Sequence, residues 1–131
     1  MNNSPEKDPS PVSLAVIGGS GAYNLLANGV LGEKQSTTIF QTPFGKSAPI
    51  HHFRAGNLHY LFLSRHGEKD YSITAPFVNY RANIYALKEC GVERLISWSG
   101  PGIINTSFKP GEYVLPNDII DETRKRETTF F

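Results

Sequence analysis

The run Leu14-Ala15-Val16-Ile17, passing directly into Gly18-Gly19-Ser20-Gly21, constrains this chain more than any other feature. Consecutive apolar residues without alternation predict a short buried strand, and the glycines that follow predict a tight turn. Buried strands with such turns usually belong to α/β sheets, so the fold class expected is α/β.

The rest of the chain supplies partners for that strand. Ile50 to Arg54 and Leu58 to Leu63 are β-prone and separated only by Ala55-Gly56-Asn57, which predicts two adjacent antiparallel strands. The second runs into Ser64-Arg65-His66-Gly67, which puts two cationic-capable side chains at a strand end, a favoured place for binding sites in α/β folds. A helix is predicted next, with Thr74 as N-cap, Pro76 in the first turn and Gly91 just past the end. Phe77, Tyr80, Ile84 and Leu87 fall on one face of it and should pack on the sheet. Val92 to Trp98 reads as another strand, broken by Ser99-Gly100-Pro101-Gly102. A last brief strand is expected at Glu112 to Leu115, introduced by Pro110-Gly111 and closed by Pro116.

Composition narrows the partners. A chain of 131 residues fits one domain, with a core that hides roughly two thirds of the unfolded surface. With 19% charged residues and a formal net charge of +1, no broad field favours nucleic acid or an anionic membrane, so any anion site must be local. The single cysteine, Cys90, excludes an internal disulfide framework and suits a reducing, cytoplasmic setting. No apolar run approaches membrane-spanning length, and residues 1–12, with Pro5, Pro9 and Pro11 among polar residues, read as a flexible tail.

Each candidate motif has a plainer reading beside it. Counting G-x-G-x-x-G from Gly19 places Asn24 where the third glycine belongs, so the dinucleotide fingerprint fails. The turn can still bind phosphate, since small residues let backbone N–H groups converge on an anion while Ser20 adds a hydroxyl; a simple structural turn fits equally. Phe44-Gly45-Lys46-Ser47 imitates the end of a nucleotide-binding loop, yet Phe40 stands where the first glycine is required, and Thr42-Pro43-Phe44-Gly45 is better read as a structural turn. Arg65 offers paired donors that match two phosphate oxygens, and His66 can add a third; a surface arginine beside a strand-capping histidine is the plain alternative. His51 and His52 must face opposite sides of their strand and cannot jointly grip a metal, and Asp118, Asp121 and Glu122 match no calcium-loop spacing. No metal site is therefore expected. Cys90 has no base beside it and reads as a small buried thiol rather than a nucleophile.

Taken in order, Ile17 to Gly21, Thr42 to Lys46, Arg65-His66-Gly67, Val78 to Ile84 with Ala86-Leu87-Lys88, and Lys109-Pro110-Gly111 resemble the methylthioadenosine and purine nucleoside phosphorylase family. The resemblance is collinear from about Leu14 to Arg124 and corresponds to the amino-terminal half of a family member, so residues 13–131 are expected to form that half of a phosphorylase-like α/β domain, a mixed central sheet flanked by helices and truncated. It implies that inorganic phosphate, a co-substrate rather than a cofactor, attacks C1′ of a purine nucleoside and releases the base. Ser20, Arg65, His66 and Ser99 match the phosphate-binding positions, and Gly100, Pro101 and Gly102 the loop that runs under ribose and base.

Glu68-Lys69-Asp70-Tyr71 stands where relatives commonly place another histidine, and Pro101 removes a backbone donor from the substrate loop. The family's later half carries a methionine under the ribose and the aspartate that helps protonate the leaving base, so no catalytic acid is assigned here. The resemblance therefore implies either an enzyme completed by a carboxy-terminal chain, trimeric like its relatives, or a non-catalytic phosphate-binding or pairing module. Neither nucleic acid nor membrane is an expected partner.

Overall fold

The computed structural model describes residues 12–124, 126–127 and 129–131. The tail read over residues 1–12 lies, apart from Val12, outside them. The chain divides into two units, residues 1–99 and 100–131.

The first unit is built on the strand that the sequence singles out. β1 (Leu14–Gly18) lies between β6 (Leu58–Ser64) and β7 (Arg94–Trp98) and runs parallel to both. Beyond β6 come β5 (Ile50–Ala55) and β2 (Glu33–Thr38), each antiparallel to its neighbour, which gives the order β2-β5-β6-β1-β7. The sheet is therefore mixed, as the resemblance implies. β5 and β6 form the expected hairpin, with Gly56 at φ 61° supplying the left-handed turn residue.

Alternation along the strands loads both faces. Ala15, Ile17, Ile50, Leu61 and Leu63 point to one side and pack with Ala86 and Leu87 of α2 (Tyr80–Glu89). Phe53, Tyr60 and Phe62 point to the other and pack with Ala22 of α1 (Ala22–Ala27), with Leu14, Val16 and Trp98 at the margin. Parallel strands covered on both faces need near-continuous apolar sequence, which β1 and β6 have. β7 differs: it is one of the sheet's two edges among the described residues, and Leu95 and Ile96 remain 45% and 52% exposed.

The helix before β7 departs from its predicted start. Thr74 begins only a 3-10 turn over Ala75–Phe77, and α2 starts after Asn79, whose Oδ1 accepts from the Ala82 N–H at 3.2 Å. Phe77, expected on the packing face, is 81% exposed because it falls in the turn before the helix. Ile84 and Leu87 do pack on the sheet. The end is as predicted: Gly91 takes φ 83°, its N–H donates to the Lys88 carbonyl and the Val92 N–H to the Leu87 carbonyl, the Schellman pattern.

α2 is also tied to the turn around Gly45. Asn79 Nδ2 donates to the Phe44 carbonyl at 2.8 Å, and buried Asn83 accepts from the Ala48 N–H at 2.7 Å. The turn joins β3 (Gln41–Thr42) to β4 (Gly45–Lys46), with Gly45 at φ 97° and Thr42 Oγ1 donating to the Gly45 carbonyl. Thr42 to Gly45 thus form a closed turn.

In the second unit, turns at Asn105–Phe108 and Lys109–Glu112 are closed by backbone hydrogen bonds, and Asn105 Oδ1 accepts from Ser107. The strand expected at Glu112 to Leu115 does not form: the segment is irregular, with Tyr113 89% and Leu115 96% exposed. β-prone residues make a strand only where another strand answers their backbone groups, and no described residue does so here.

Candidate phosphate site

The register of the three parallel strands lines up their carboxyl ends. Gly18 is opposite Ser64 of β6 and opposite Trp98 of β7, so the next residues out, Arg65, Gly19 and Ser99, form a row across the sheet's end. Backbone hydrogen bonds fix it. The Gly19 N–H donates to the Trp98 carbonyl at 2.7 Å, and the Arg65 N–H donates to the Gly18 carbonyl at 3.1 Å. Ligands of open α/β sheets collect at this end, where chains leave the sheet in different directions.

Gly19 is the centre of the row, and a side chain there would be crowded. A Cβ there would stand 3.0 Å from Arg65 Nη2, 3.0 Å from Ser99 Oγ and 3.1 Å from the Trp98 carbonyl oxygen. The guanidinium and the hydroxyl thus crowd the same point from two strands. On the same turn Ser20 is exposed, and Gly21 at φ 83° leads into α1. The arrangement presents hydroxyls and a guanidinium fork around a glycine backbone, a donor set suited to an oxyanion.

His66 sits differently. It is 2% exposed, Nδ1 donates to the Ile73 carbonyl at 2.8 Å, and Nε2 accepts the Arg65 Nε–H at 3.1 Å. Since a carbonyl can only accept, the Nδ1–H tautomer is fixed, and the Nε2 lone pair is turned toward Arg65. Tyr71 stacks on the ring, with centroids 4.3 Å apart and planes at 28°. The loop from Gly67 to Ser72 closes through the Ile73 N–H on the His66 carbonyl at 2.9 Å. Gly67 takes φ 121° to make that bend.

Two residues here are not singled out as site residues by the sequence. Ser64, directly before Arg65, is 3% exposed, and its Oγ has no hydrogen-bond partner among the described residues. Tyr71 was marked only as a departure from the family, because stacking depends on a loop path that residue types do not encode. His51, on β5, is buried, with Nδ1 2.8 Å from Thr37 Oγ1 and Nε2 2.5 Å from Glu68 Oε1, which ties the same loop to the sheet. His52 faces the other side, with Nε2 3.0 Å from His59 Nδ1. Cys90 packs beside the α2 core, and burial, then the Glu89 carboxylate, raises its thiol pKa above the ordinary value. Gly100, Pro101 and Gly102 belong to the second unit and are exposed.

A depression of about 180 Å³ lies elsewhere, at the start of β7, lined by Ile84, Leu87, Lys88, Val92, Glu93 and Leu95. It is apolar and at the opposite end of the strand from Gly19.

Comparison with known proteins agrees with this architecture. A 6-oxopurine nucleoside phosphorylase of Pyrococcus furiosus is 42% identical over 118 residues, covering 90% of this chain and 42% of that protein. An S-methyl-5'-thioadenosine phosphorylase of Saccharolobus solfataricus is 40% identical over 120 residues, covering 91% of this chain and 43% of its own. The chain thus spans less than half the length of these curated relatives. Among solved structures, methylthioadenosine phosphorylase from Schistosoma mansoni in complex with adenine matches with a TM-score of 0.57 and 33% identity, over 66% of this chain and 28% of that one. The family description Phosphorylase superfamily fits residues 13–131. With a match across nearly its whole length and a mixed sheet of the same kind, this chain belongs to the phosphorylase superfamily.

Proposed function

We propose that this chain holds the phosphate of a purine nucleoside phosphorylase reaction, with 5'-methylthioadenosine or a related purine nucleoside as the other substrate. The observation that carries the reading is the row Arg65, Gly19 and Ser99 at the ends of adjacent parallel strands. In this proposal Ser20, Arg65 and Ser99 surround the anion, His66 belongs to the same site, and Gly100, Pro101 and Gly102 pass under the sugar and base.

The chemistry follows from the charge. Cleavage of the glycosidic bond passes through an oxocarbenium-like sugar, so an anion held beneath C1′ stabilises the developing positive charge and supplies the attacking oxygen. Positioning phosphate and sugar face to face contributes most of what a site of this kind can offer. Protonation of the departing base is a separate contribution on the order of a hundredfold or more, and no residue here is assigned to it.

The proposal includes a carboxy-terminal portion, in the same protein or a companion chain, and a trimeric assembly in the cytoplasm. The open edge of β7, with Leu95 and Ile96 uncovered, supports it, as do relatives more than twice as long as the matched region. Exposed apolar strand edges call for cover.

The test combines this chain with a carboxy-terminal segment from a relative and follows base release from methylthioadenosine and inosine, with and without phosphate. Phosphate-dependent release supports the proposal, whereas equal release without phosphate indicates a hydrolase. If phosphate binds but the completed protein releases no base, the chain is a binding module instead.

A further inference from the structure

We propose that Tyr71 is a positioning residue for Arg65: stacked on His66, it holds the imidazole so that Nε2 fixes the guanidinium through its Nε–H. The inference rests on the reading of Arg65 as an anion ligand, and it assigns a task to a loop that departs from the family pattern.

The chain of contacts is continuous. Arg65 Nε donates to His66 Nε2 at 3.1 Å, and His66 Nδ1 donates to the Ile73 carbonyl at 2.8 Å. With both ring nitrogens engaged inside the chain, the imidazole has no donor left for a phosphate. Its remaining freedom is to tilt about the line between those contacts, and Tyr71, 4.3 Å away and nearly parallel, blocks that tilt. The loop bearing Tyr71 is anchored in turn, at the Ile73 N–H on the His66 carbonyl and at Glu68 on His51.

The consequence for Arg65 is geometric. A guanidinium has five N–H donors in one plane, and fixing Nε sets the direction of the other four. Nη2 then faces the point above Gly19, beside Ser99 Oγ. Without the brace the same charge would be present but free to rotate, and a bidentate grip on a tetrahedral anion would lose its preorganisation.

Tyr71 is 42% exposed, so removing its ring does not empty a core cavity. The test uses the 131-residue chain labelled with 15N, in which the Arg65 Nε–H resonance is assigned by its loss in Arg65→Lys. Solvent exchange of that proton and phosphate affinity are then measured in Tyr71→Phe, Tyr71→Leu and Tyr71→Ala. Phe keeps the stacked face and should match the parent in both. Ala and Leu should exchange faster and bind phosphate about three- to tenfold more weakly, the range an aromatic stack carries. Leu covers the case in which Ala unfolds the loop.

Unchanged exchange and affinity in both Ala and Leu would overturn the proposal, as would Phe behaving like Ala, because the hydroxyl would then be the active part. Failure of the anion reading is separately visible: Arg65→Ala would bind phosphate like the parent, or the parent would bind none, whatever the exchange of the Arg65 Nε–H in the Tyr71 variants.

Discussion

The Arg65 side chain is held by its own neighbour: Nε donates to His66 Nε2 across 3.1 Å, in the plane that also aims Nη2 at the point above Gly19. One side chain thus meets an internal acceptor and a site for an external one. Lysine cannot do both, since its ammonium is a point charge without a fixed fork. Arg65→Lys is therefore expected to lower phosphate affinity by about tenfold or more, with net charge unchanged. Titration calorimetry measures it, and affinity equal to the parent's would mean that charge alone matters.

The paired glycines should separate binding from folding. Gly19→Ala places a methyl 3.0 Å from both Arg65 Nη2 and Ser99 Oγ, so it should weaken phosphate binding by about tenfold or more at a stability cost of about 1 kcal/mol. Gly18→Ala collides with Ala22 Cβ and comes within 3.1 Å of Phe62, and α1 must move; a loss of about 1–3 kcal/mol is expected in urea denaturation. If both variants lost only stability, the point above Gly19 would not be a ligand site.

Ser64 makes the opposite kind of prediction. Its buried hydroxyl has no partner among the described residues, so Ser64→Ala removes an unsatisfied group and should leave stability unchanged or raise it by up to about 1 kcal/mol. A loss above that size in thermal melting would show that the hydroxyl has a partner, such as an internal water.

Asn83 is buried and accepts the Ala48 N–H at 2.7 Å, which ties α2 to the segment after β4. Asn83→Ala leaves that N–H without its acceptor and should cost about 1–3 kcal/mol. Urea midpoints measure it, and an unchanged midpoint would mean that the Ala48 N–H finds another acceptor.

The β5–β6 hairpin carries a pH dependence. Burial, and secondarily the His59 ring, holds the His52 imidazole below its ordinary value of 6.5. Below that value the unfolded chain takes up the proton before the folded one does. The contribution is therefore fully present above the ordinary value and is lost as pH falls through it toward the lower folded value. His52→Gln should flatten this part of the stability profile, and His59→Asn should do so less, because it removes only the smaller cause. Urea midpoints on either side of the window decide it; a wild-type slope in His52→Gln would assign the dependence elsewhere.

What could be read from residues alone follows from how local each signal is. β1, the β5–β6 hairpin and the Gly91 helix stop were legible because apolar runs and turn glycines act over a few residues. The start of α2 was misplaced at Thr74 because Thr74 and Asn79 are both good caps, and the choice is made by Asn79's second contact, to the Phe44 carbonyl. β2, reading Glu-Lys-Gln-Ser-Thr-Thr, went unpredicted: it is an exposed edge with no apolar alternation, and its pairing to β5 alone makes it a strand. Of the candidate site, Arg65 and Ser99 could be placed at strand ends, but that they share one point with Gly19 depends on register, which a sequence does not display. The buried, inward-facing posture of His66 was equally invisible, since it depends on the path of the loop to Ile73.

Because β1 is flanked on both sides by strands that come much later in the chain, its pairing carries a kinetic cost. Leu14 meets Arg94, and Gly18 meets Trp98. As the chain is made, the glycine turn emerges before either neighbour of its strand and waits, with that strand unpaired, until β6 and then β7 have followed. Gly19 is thus made well before Arg65 and Ser99, the residues that complete its row, a topology of long closures that slows folding.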